Sequence, residues 1–357
     1  MEQPEINENI LKPKPYVPGK PLEIFLQENN IPRCIKLDAN ENPLGCSPTV
    51  KDVLNNLDFH RYPDGGATNL RNLLAKGFKV NKDNVFISPG SNHIIDFINR
   101  GFLKPGNNAI MADKTFSLYK HATLRAGGEP KLKPLKAGNF NLTTMAKEIN
   151  EKTDIIYVCN PNNPTGTALE KDKLLDFIKS VPEKVLILVD EAYMEYCEQY
   201  STVIDKVLDF PNLIVMRTFS KMYGLAGFRI GYAISNARVI QTLYKIMAPF
   251  SVSAPALCAA YASLQDTNFV ENTYRNNFIE RKRMLTYYAS KEWFTYTSQT
   301  NFIYVEIPIE NIQMKLEKRG ILIRSLKSFG FDNKSFRITI GTKEENSALI
   351  QALETLT

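Results

Sequence analysis

Apolar and polar residues alternate along the chain in blocks that predict short buried strands separated by helices. Stretches of helical period, such as 171–181, lie between apolar, β-branched runs that suit a sheet covered on both faces. The alternation predicts an α/β domain with a mostly parallel sheet. The predicted strands of this domain are 85–88, 109–111, 155–159, 185–189, 213–216 and 229–234.

The two ends of the chain show a different pattern. Residues 1–33 are polar and proline-rich, which predicts an N-terminal arm with a short helix over 22–28. After about residue 253 a long amphipathic helix over 268–290 precedes further strands, predicted at 301–306, 321–323 and 336–340. We therefore predict an arm (1–33), a large α/β domain (34–252) and a small C-terminal α+β domain (253–357).

Composition and charge narrow the function only slightly. The 357 residues carry a net charge of +6, and the basic residues are spread along the chain, unlike the basic stripe of a nucleic-acid binder. The five cysteines are widely spaced and include no C-x-x-C pair, which argues against a metal or disulfide framework. The N-terminus lacks an apolar signal segment, and the uncharged stretch 246–265 contains two prolines. We expect a cytoplasmic protein with no membrane span and no nucleic-acid partner.

Candidate chemistry begins with Lys221, which follows the apolar run 213–216. Partial burial lowers the proton affinity of a lysine and makes its amine a nucleophile suited to Schiff-base formation. Gly224 and Gly227 would let the backbone approach a ligand, and Arg229 could bind a phosphate. Taken alone, however, Lys221 is more simply interpreted as a surface lysine in a glycine-rich loop.

A carboxylate ends another predicted strand. Asp190 directly follows the run 185–189, and α/β proteins bind ligands in the crevice at the carboxyl ends of their strands. A carboxylate there could hold a pyridinium nitrogen protonated, and Tyr193 could donate to a phenolic oxygen of the same ring. The pair Asp190-Glu191 is also compatible with a metal site or a helix cap.

Two loops add to this pattern. The segment N-P-N-N-P-T-G (160–166) forms a restricted turn after a strand and would present Asn163 to the same crevice. Gly90, Ser91 and Asn92 lead into an apolar helix over 94–102, where backbone N–H groups would face a phosphate. Ordinary helix capping explains this second loop equally well.

In this order the motifs resemble the aspartate-aminotransferase superfamily (fold type I), and specifically histidinol-phosphate aminotransferases. The similarity extends from about residue 16 to the C-terminus and includes L-D-A-N-E-N-P-L-G (37–45), R-Y-P-D (61–64) and F-R-I-T-I-G-T (336–342). The resemblance implies a mostly parallel seven-stranded sheet between helices and a smaller α+β domain. It also implies pyridoxal phosphate as cofactor and, in histidine biosynthesis, conversion of histidinol phosphate and 2-oxoglutarate into imidazole-acetol phosphate and glutamate.

The resemblance assigns roles to individual side chains. Lys221 carries the cofactor as a Schiff base and later moves a proton between substrate and cofactor. Asp190 pairs with the pyridine nitrogen, Asn163 and Tyr193 bind the phenolic oxygen, and Phe116 stacks on the ring. The other assignments are Gly90, Ser91, Asn92, Ser220 and Arg229 for the cofactor phosphate, Tyr62 reaching it from the second subunit of a homodimer, and Tyr16, Asn163, Arg324 and Arg337 for the substrate.

Two positions depart from the family pattern, and other activities share the motifs. Phe116 stands where tyrosine is common, and the phosphate loop reads G-S-N-H, with Asn92 and His93 where acidic residues are common in the family. Aromatic amino-acid aminotransferases fit the same motifs, and threonine-phosphate decarboxylases share R-Y-P-D and I-L-I-R-S (321–325). A non-catalytic, cofactor-binding regulator is a further alternative, although the arm is too short for an added helix-turn-helix domain.

Overall fold

The computed structural model describes residues 4–13, 15, 22–198 and 201–356. Within these ranges the strands are β1 Ile35–Leu37, β2 Val85–Ser88, β3 Asn108–Ala112, β4 Glu129–Lys133, β5 Thr153–Cys159, β6 Leu186–Asp190, β7 Leu213–Thr218, β8 Gly231–Ser235, β9 Phe302–Glu306, β10 Ile321–Ser325 and β11 Ser335–Thr339. The helices are α1 Glu8–Leu11, α2 Leu22–Asn29, α3 Pro48–Asn55, α4 Thr68–Phe78, α5 Ser91–Phe102, α6 Leu118–Arg125, α7 Leu142–Glu148, α8 Lys171–Ser180, α9 Ala237–Ile246, α10 Ala254–Gln265, α11 Thr267–Ser290, α12 Ile312–Glu317 and α13 Lys343–Glu354.

The large sheet has seven strands in the order β2-β8-β7-β6-β5-β3-β4 within the described part of the chain. Strand β8 runs antiparallel to both of its neighbours, β2 and β7, and the other pairs are parallel. Every residue of β3, β6, β7 and β8 is buried, because helices cover both faces of the sheet. The predicted fold class, a mostly parallel seven-stranded sheet between helices, is confirmed.

The six predicted strands of this sheet are confirmed, with ends that differ by at most two residues. The edge strand β4 has no counterpart among the predicted strands. Its sequence E-P-K-L-K is polar because the strand pairs only with β3 and is partly exposed. Edge strands commonly carry such charged residues and proline.

A second sheet has the order β1-β10-β11-β9 and packs one face on its own core. Alternate residues of β11, such as Phe336 and Ile338, join that core with Met284 of α11 and Leu349 of α13. Strand alternation therefore places Arg337 on the opposite face of the sheet. That face meets the large sheet, because Arg337 contacts the turn after β5.

Local sequence explains where the helices around this second core begin. Asp266 accepts a hydrogen bond from the backbone N–H of Phe269 and so starts α11, which confirms the helix predicted over 268–290. Thr342 and Glu345 form a reciprocal capping box at the start of α13.

Two segments pack across the predicted domain boundaries. Strand β1 follows the predicted arm directly but pairs with β10, so it belongs to the small sheet. Helix α10 lies after the predicted boundary at 252, yet Ala256 and Ala259 are part of the large core. The division into three parts itself stays a prediction. Among the described residues, no helix has the length and apolar character needed to cross a membrane.

The segment between β1 and α3 connects the two sheets. The backbone N–H of Asn40 donates to Thr339 Oγ1 of the small sheet at 2.9 Å, and Asn42 Nδ2 donates to the carbonyl of Met222 at 2.8 Å. At the end of this segment the Gly45 carbonyl lies directly against Gly224, where an added Cβ would be only 1.8 Å from the oxygen. Gly224 also has a positive φ of 67°. The loop after β7 is therefore packed backbone to backbone against the connecting segment.

We predict that Gly224→Ala destabilises the protein by about 2 kcal/mol or more, because the substitution combines a left-handed backbone with overpacking. Gly227→Ala is the matched control, since an added Cβ at that position has no neighbour within 4 Å. Urea unfolding of both variants checks the prediction. Equal midpoints for the two variants would contradict the packing argument.

Candidate active site

Polar side chains meet at the carboxyl ends of three adjacent parallel strands. Asn163 lies in the turn after β5, Asp190 is the last residue of β6, and Lys221 lies in the loop that follows β7. This edge of a parallel sheet is where α/β proteins bind their ligands, as the sequence predicted.

Asp190 is almost fully buried, with 4% of its surface exposed. Its Oδ2 accepts a hydrogen bond from the Tyr119 hydroxyl at 2.5 Å, and its Oδ1 accepts one from the backbone N–H of Ala192 at 3.0 Å. Burial raises the pKa of Asp190 to about 6, against the lowering effect of these two hydrogen bonds. A buried carboxylate that contacts neutral donors favours a cationic ligand group.

The neighbouring Glu191 is engaged elsewhere. Its carboxylate forms a buried ion pair with Arg217 at 2.7 Å and accepts hydrogen bonds from Thr202. Asp190 and Glu191 therefore contact separate sets of side chains and do not converge on one metal position.

Lys221 Nζ donates a hydrogen bond to the carbonyl oxygen of Ala39 at 3.0 Å and lies 5.9 Å from the centre of the Tyr193 ring. Removal from water lowers the pKa of this amine to about 7, and the positive charge of Arg337 adds to the effect. Near neutral pH a large fraction of the amine is therefore unprotonated and nucleophilic.

Tyr193 and Asn163 both contact residues that belong to the small sheet or to its connection. The Tyr193 hydroxyl accepts a hydrogen bond from Asn40 Nδ2 at 3.0 Å, and burial raises the pKa of Tyr193 to about 12. Asn163 Oδ1 accepts a hydrogen bond from Arg337 Nη1 at 2.7 Å. Tyr193 thus stays a neutral hydroxyl, and Asn163 is coupled to an arginine of the opposite sheet.

A cup of small residues and one arginine lies at the start of α5. It consists of Gly90, Ser91, Ser220 and Arg229. An added Cβ at Gly90 would be 2.9 Å from Arg229 Nη2, and one at Gly231 would be 2.8 Å from the backbone nitrogen of Ser91. Arg229 Nη1 donates to the carbonyl of Ala226 at 2.8 Å and makes a longer contact, 3.5 Å, with Ser220 Oγ. The helix N-terminus, the hydroxyl and the guanidinium together suit a phosphate.

Asn92 lies beside this cup, in the first turn of α5, and is exposed. Its role in phosphate binding stays a prediction.

Two arginines face each other across β10 and β11. Arg324 and Arg337 are direct partners in the antiparallel register. Like charges at such positions are destabilising, so an anion between them is favoured. Arg337 is also fixed by a 2.8 Å hydrogen bond to the carbonyl of Asp38.

The remaining predicted residues lie at the edge of this centre or outside the described chain. Phe116 is half-buried and packs edge to face on Tyr119, with ring centres 5.7 Å apart. Tyr62 is 84% exposed and packs on Phe250 at 4.8 Å. Tyr16 lies outside the described residues. The roles assigned to these three stay predictions.

The sequence interpretation missed Tyr119, Asn40 and the carbonyls of Asp38 and Ala39. Asp38, Ala39 and Asn40 lie in the motif L-D-A-N-E-N-P-L-G (37–45). The motif indicated that this segment matters but assigned no role to any one of its residues. Tyr119 had no signal, because an aromatic residue in a short helix is ordinarily a packing residue.

The fold and the site together define an aminotransferase, and the chain belongs to the aminotransferase class I and II family, whose profile matches residues 32–353. Within the family it is 41% identical over 360 aligned residues to histidinol-phosphate aminotransferase 1 of Bacillus cereus, covering 98% of this chain and 96% of that protein.

Solved structures agree with this assignment. Histidinol-phosphate aminotransferase from Sinorhizobium meliloti, in complex with pyridoxal-5'-phosphate, superposes with a TM-score of 0.88 at 25% identity, over 98% of this chain and 97% of that one. A double mutant of Thermus thermophilus aspartate aminotransferase shares the fold, with a TM-score of 0.85 at 18% identity over 99% of this chain and 100% of that one.

We predict that Lys221 is modified by small amine-reactive reagents near neutral pH in the cofactor-free protein. With a pKa of about 7, roughly half of its amine is neutral at pH 7, compared with roughly one part in three thousand for an ordinary lysine. Its modification should rise as the pH passes through 7 and then level off. Mass spectrometry of peptides labelled at different pH values measures this midpoint.

Lys131, which pairs with Glu129 on the surface, is the internal control and should be labelled only at much higher pH. A Lys221 midpoint equal to that of Lys131 would contradict the proposed effect of burial.

Proposed function

We propose that this protein is a pyridoxal-phosphate-dependent histidinol-phosphate aminotransferase of histidine biosynthesis. The observation that carries the proposal is the placement of Lys221 and Asp190 at the ends of neighbouring strands, each with a pKa close to neutrality. The names of relatives about 40% identical over nearly the full chain support the substrate.

The donor set fits the cofactor group by group. The cup of Gly90, Ser91, Ser220 and Arg229 suits its phosphate, and the missing side chain of Gly90 leaves the space beside the guanidinium open. Asp190 suits a protonated pyridine nitrogen. In addition, Lys221 suits the aldehyde, and Asn163 and Tyr193 suit the phenolic oxygen.

When bound, pyridoxal phosphate supplies an aldehyde that condenses with amines and a ring that delocalises electrons released at the substrate α-carbon. Lys221 is the base of the site. Its neutral amine, held by the Ala39 carbonyl, would take a proton from the substrate α-carbon and deliver it to the cofactor carbon that carried the aldehyde. Asp190 meanwhile keeps the pyridine nitrogen protonated.

Arg337 and Arg324 bind the anionic group of each substrate. Their guanidinium groups suit both a phosphate and a carboxylate, because each can form paired hydrogen bonds to two oxygens. The contact between Arg337 and Asn163 connects this anion site to the residue beside the phenolic oxygen. Substrate and cofactor are therefore oriented by one hydrogen-bonded chain.

The same proposal includes a cytoplasmic homodimer with shared sites. Tyr62 and Phe250 form an exposed aromatic pair, 84% and 48% accessible, which a second copy of the chain would cover. Tyr62 would then reach the cofactor phosphate of the partner subunit. The wide spacing of the five cysteines, with no C-x-x-C pair, supports a reducing compartment.

We expect Lys221→Ala to lose the visible absorbance that borohydride reduces in the natural protein with its cofactor, because the amine that binds the aldehyde is gone. Absorption spectra before and after reduction measure the effect. Lys131→Ala, which removes a surface lysine, should keep the band. A reducible band in Lys221→Ala would contradict the role of Lys221.

We expect the highest kcat/KM for histidinol phosphate in a panel with phenylalanine, tyrosine and phosphothreonine. Arg324→Gln should lower the value for histidinol phosphate by about ten- to a hundred-fold, the usual size of a lost hydrogen bond to a charged group. Lys327→Gln removes an exposed positive charge nearby and should change it little. Preference for an aromatic amino acid, or release of CO₂ from phosphothreonine, would contradict the assigned substrate.

A further inference from the structure

We propose that Tyr119 is a positioning residue whose hydroxyl keeps the Asp190 carboxylate ionised and oriented toward the cofactor's pyridine nitrogen. The inference rests on the proposed function. It gives a role to Tyr119, which none of the sequence motifs singled out and which acts through Asp190.

The contact between the two residues is short and fully enclosed. Tyr119 is 0% exposed, and its hydroxyl lies 2.5 Å from Asp190 Oδ2. The second carboxylate oxygen is held by the backbone N–H of Ala192 at 3.0 Å. One donor on each oxygen fixes the rotation of the carboxylate group, so the direction in which it faces a ligand is set before the ligand binds.

The Tyr119 ring is itself held in place. It stacks on Tyr157 with ring centres 4.8 Å apart and an interplanar angle of 10°, and Phe116 packs on it edge to face. The Tyr157 hydroxyl in turn accepts a hydrogen bond from Asn99 Nδ2 at 2.6 Å. Packed aromatic rings hold a side chain in place through their large contact area and their preferred packing geometry, so the Tyr119 hydroxyl has little freedom to leave Asp190.

The position of the proton follows from the surroundings. Burial and the nearby Asp190 charge raise the pKa of Tyr119 well above its usual value, so its hydroxyl stays protonated and is the donor. For Asp190, burial and the charge of Glu191 raise the pKa, while the Tyr119 hydrogen bond is the largest opposing effect.

The other groups near Asp190 do not supply this stabilisation. Cys159, its register partner on β5, is a buried thiol whose pKa is also raised, and Tyr193 is likewise protonated. Glu191 carries a like charge, which Arg217 pairs. Tyr119 is therefore the side-chain donor that keeps Asp190 ionised near neutral pH. Without the Tyr119 hydroxyl, the pKa of Asp190 rises further, so a larger fraction of the carboxyl is neutral near pH 7 and does not pair with a pyridinium ion.

The test is an infrared titration of the full-length protein without cofactor. The carbonyl stretch of protonated Asp190 is identified by its loss in Asp190→Asn, and its titration midpoint is compared between the natural protein and Tyr119→Phe. The midpoint should rise by about one to two pH units, the size expected for a lost hydrogen bond to a charged group. The matched control is Tyr157→Phe, which removes a hydroxyl from the same aromatic stack without touching Asp190.

A second readout uses the protein loaded with cofactor. Tyr119→Phe should release pyridoxal phosphate about ten-fold faster at neutral pH, and raising the pH through the shifted midpoint should restore retention, because Asp190 is ionised again. A packing defect alone would not be relieved by pH. If Tyr119→Phe fails to fold, a fluorinated tyrosine at position 119, a stronger donor, should instead lower the midpoint.

An unchanged midpoint in either variant at position 119, or an equal shift in Tyr157→Phe, would overturn the proposal. The infrared result does not depend on the cofactor. A reducible band in Lys221→Ala would therefore refute the proposed function and leave the role of Tyr119 toward Asp190 intact.

Discussion

The site depends on the burial of two ionisable groups that are held by neutral partners. Asp190 accepts hydrogen bonds from a tyrosine hydroxyl and a backbone N–H, and Lys221 donates a hydrogen bond to a backbone carbonyl. Because burial disfavours both charged forms, the pKa of the acid rises and the pKa of the base falls until both lie near neutrality. A cofactor with a basic ring nitrogen and an aldehyde can pair with Asp190 and react with Lys221. The same two residues therefore suit both the binding of the cofactor and its chemistry.

The segment that follows β1 joins the two sheets at this point. Ala39 contributes the carbonyl that holds Lys221, Asn40 donates to Tyr193, and Asp38 accepts from Arg337. Three consecutive residues therefore contact Lys221, Tyr193 and Arg337. The close packing of Gly45 on Gly224 fixes the same segment to the loop that carries Lys221. Part of the geometry at this site is thus set by an irregular connection, in addition to the strands that carry Asp190 and Arg337.

Much of the fold could be predicted because the central strands are continuous apolar runs, whereas β4 was missed because an edge strand needs no such run. The three residues of β1 are too few for a periodic signal, and their place in the small sheet follows from pairing with a strand almost 290 residues later. At the site, Lys221 alone favoured a surface interpretation, and only the ordered motifs changed it. The contact of Tyr119 with Asp190 joins residues 71 positions apart and left no local pattern.

The arginine pair on β10 and β11 has a consequence for how the two substrates share the enzyme. Under the proposed function, histidinol phosphate and 2-oxoglutarate both bring an anion to Arg324 and Arg337. A single anion position cannot hold both at once, so each must leave before the other enters. An excess of either substrate then competes with its counterpart for the same two side chains. Repulsion between the two guanidinium groups favours binding of the next anion once the first has left, so the pair disfavours simultaneous occupation by both substrates as well as selecting anionic ligands.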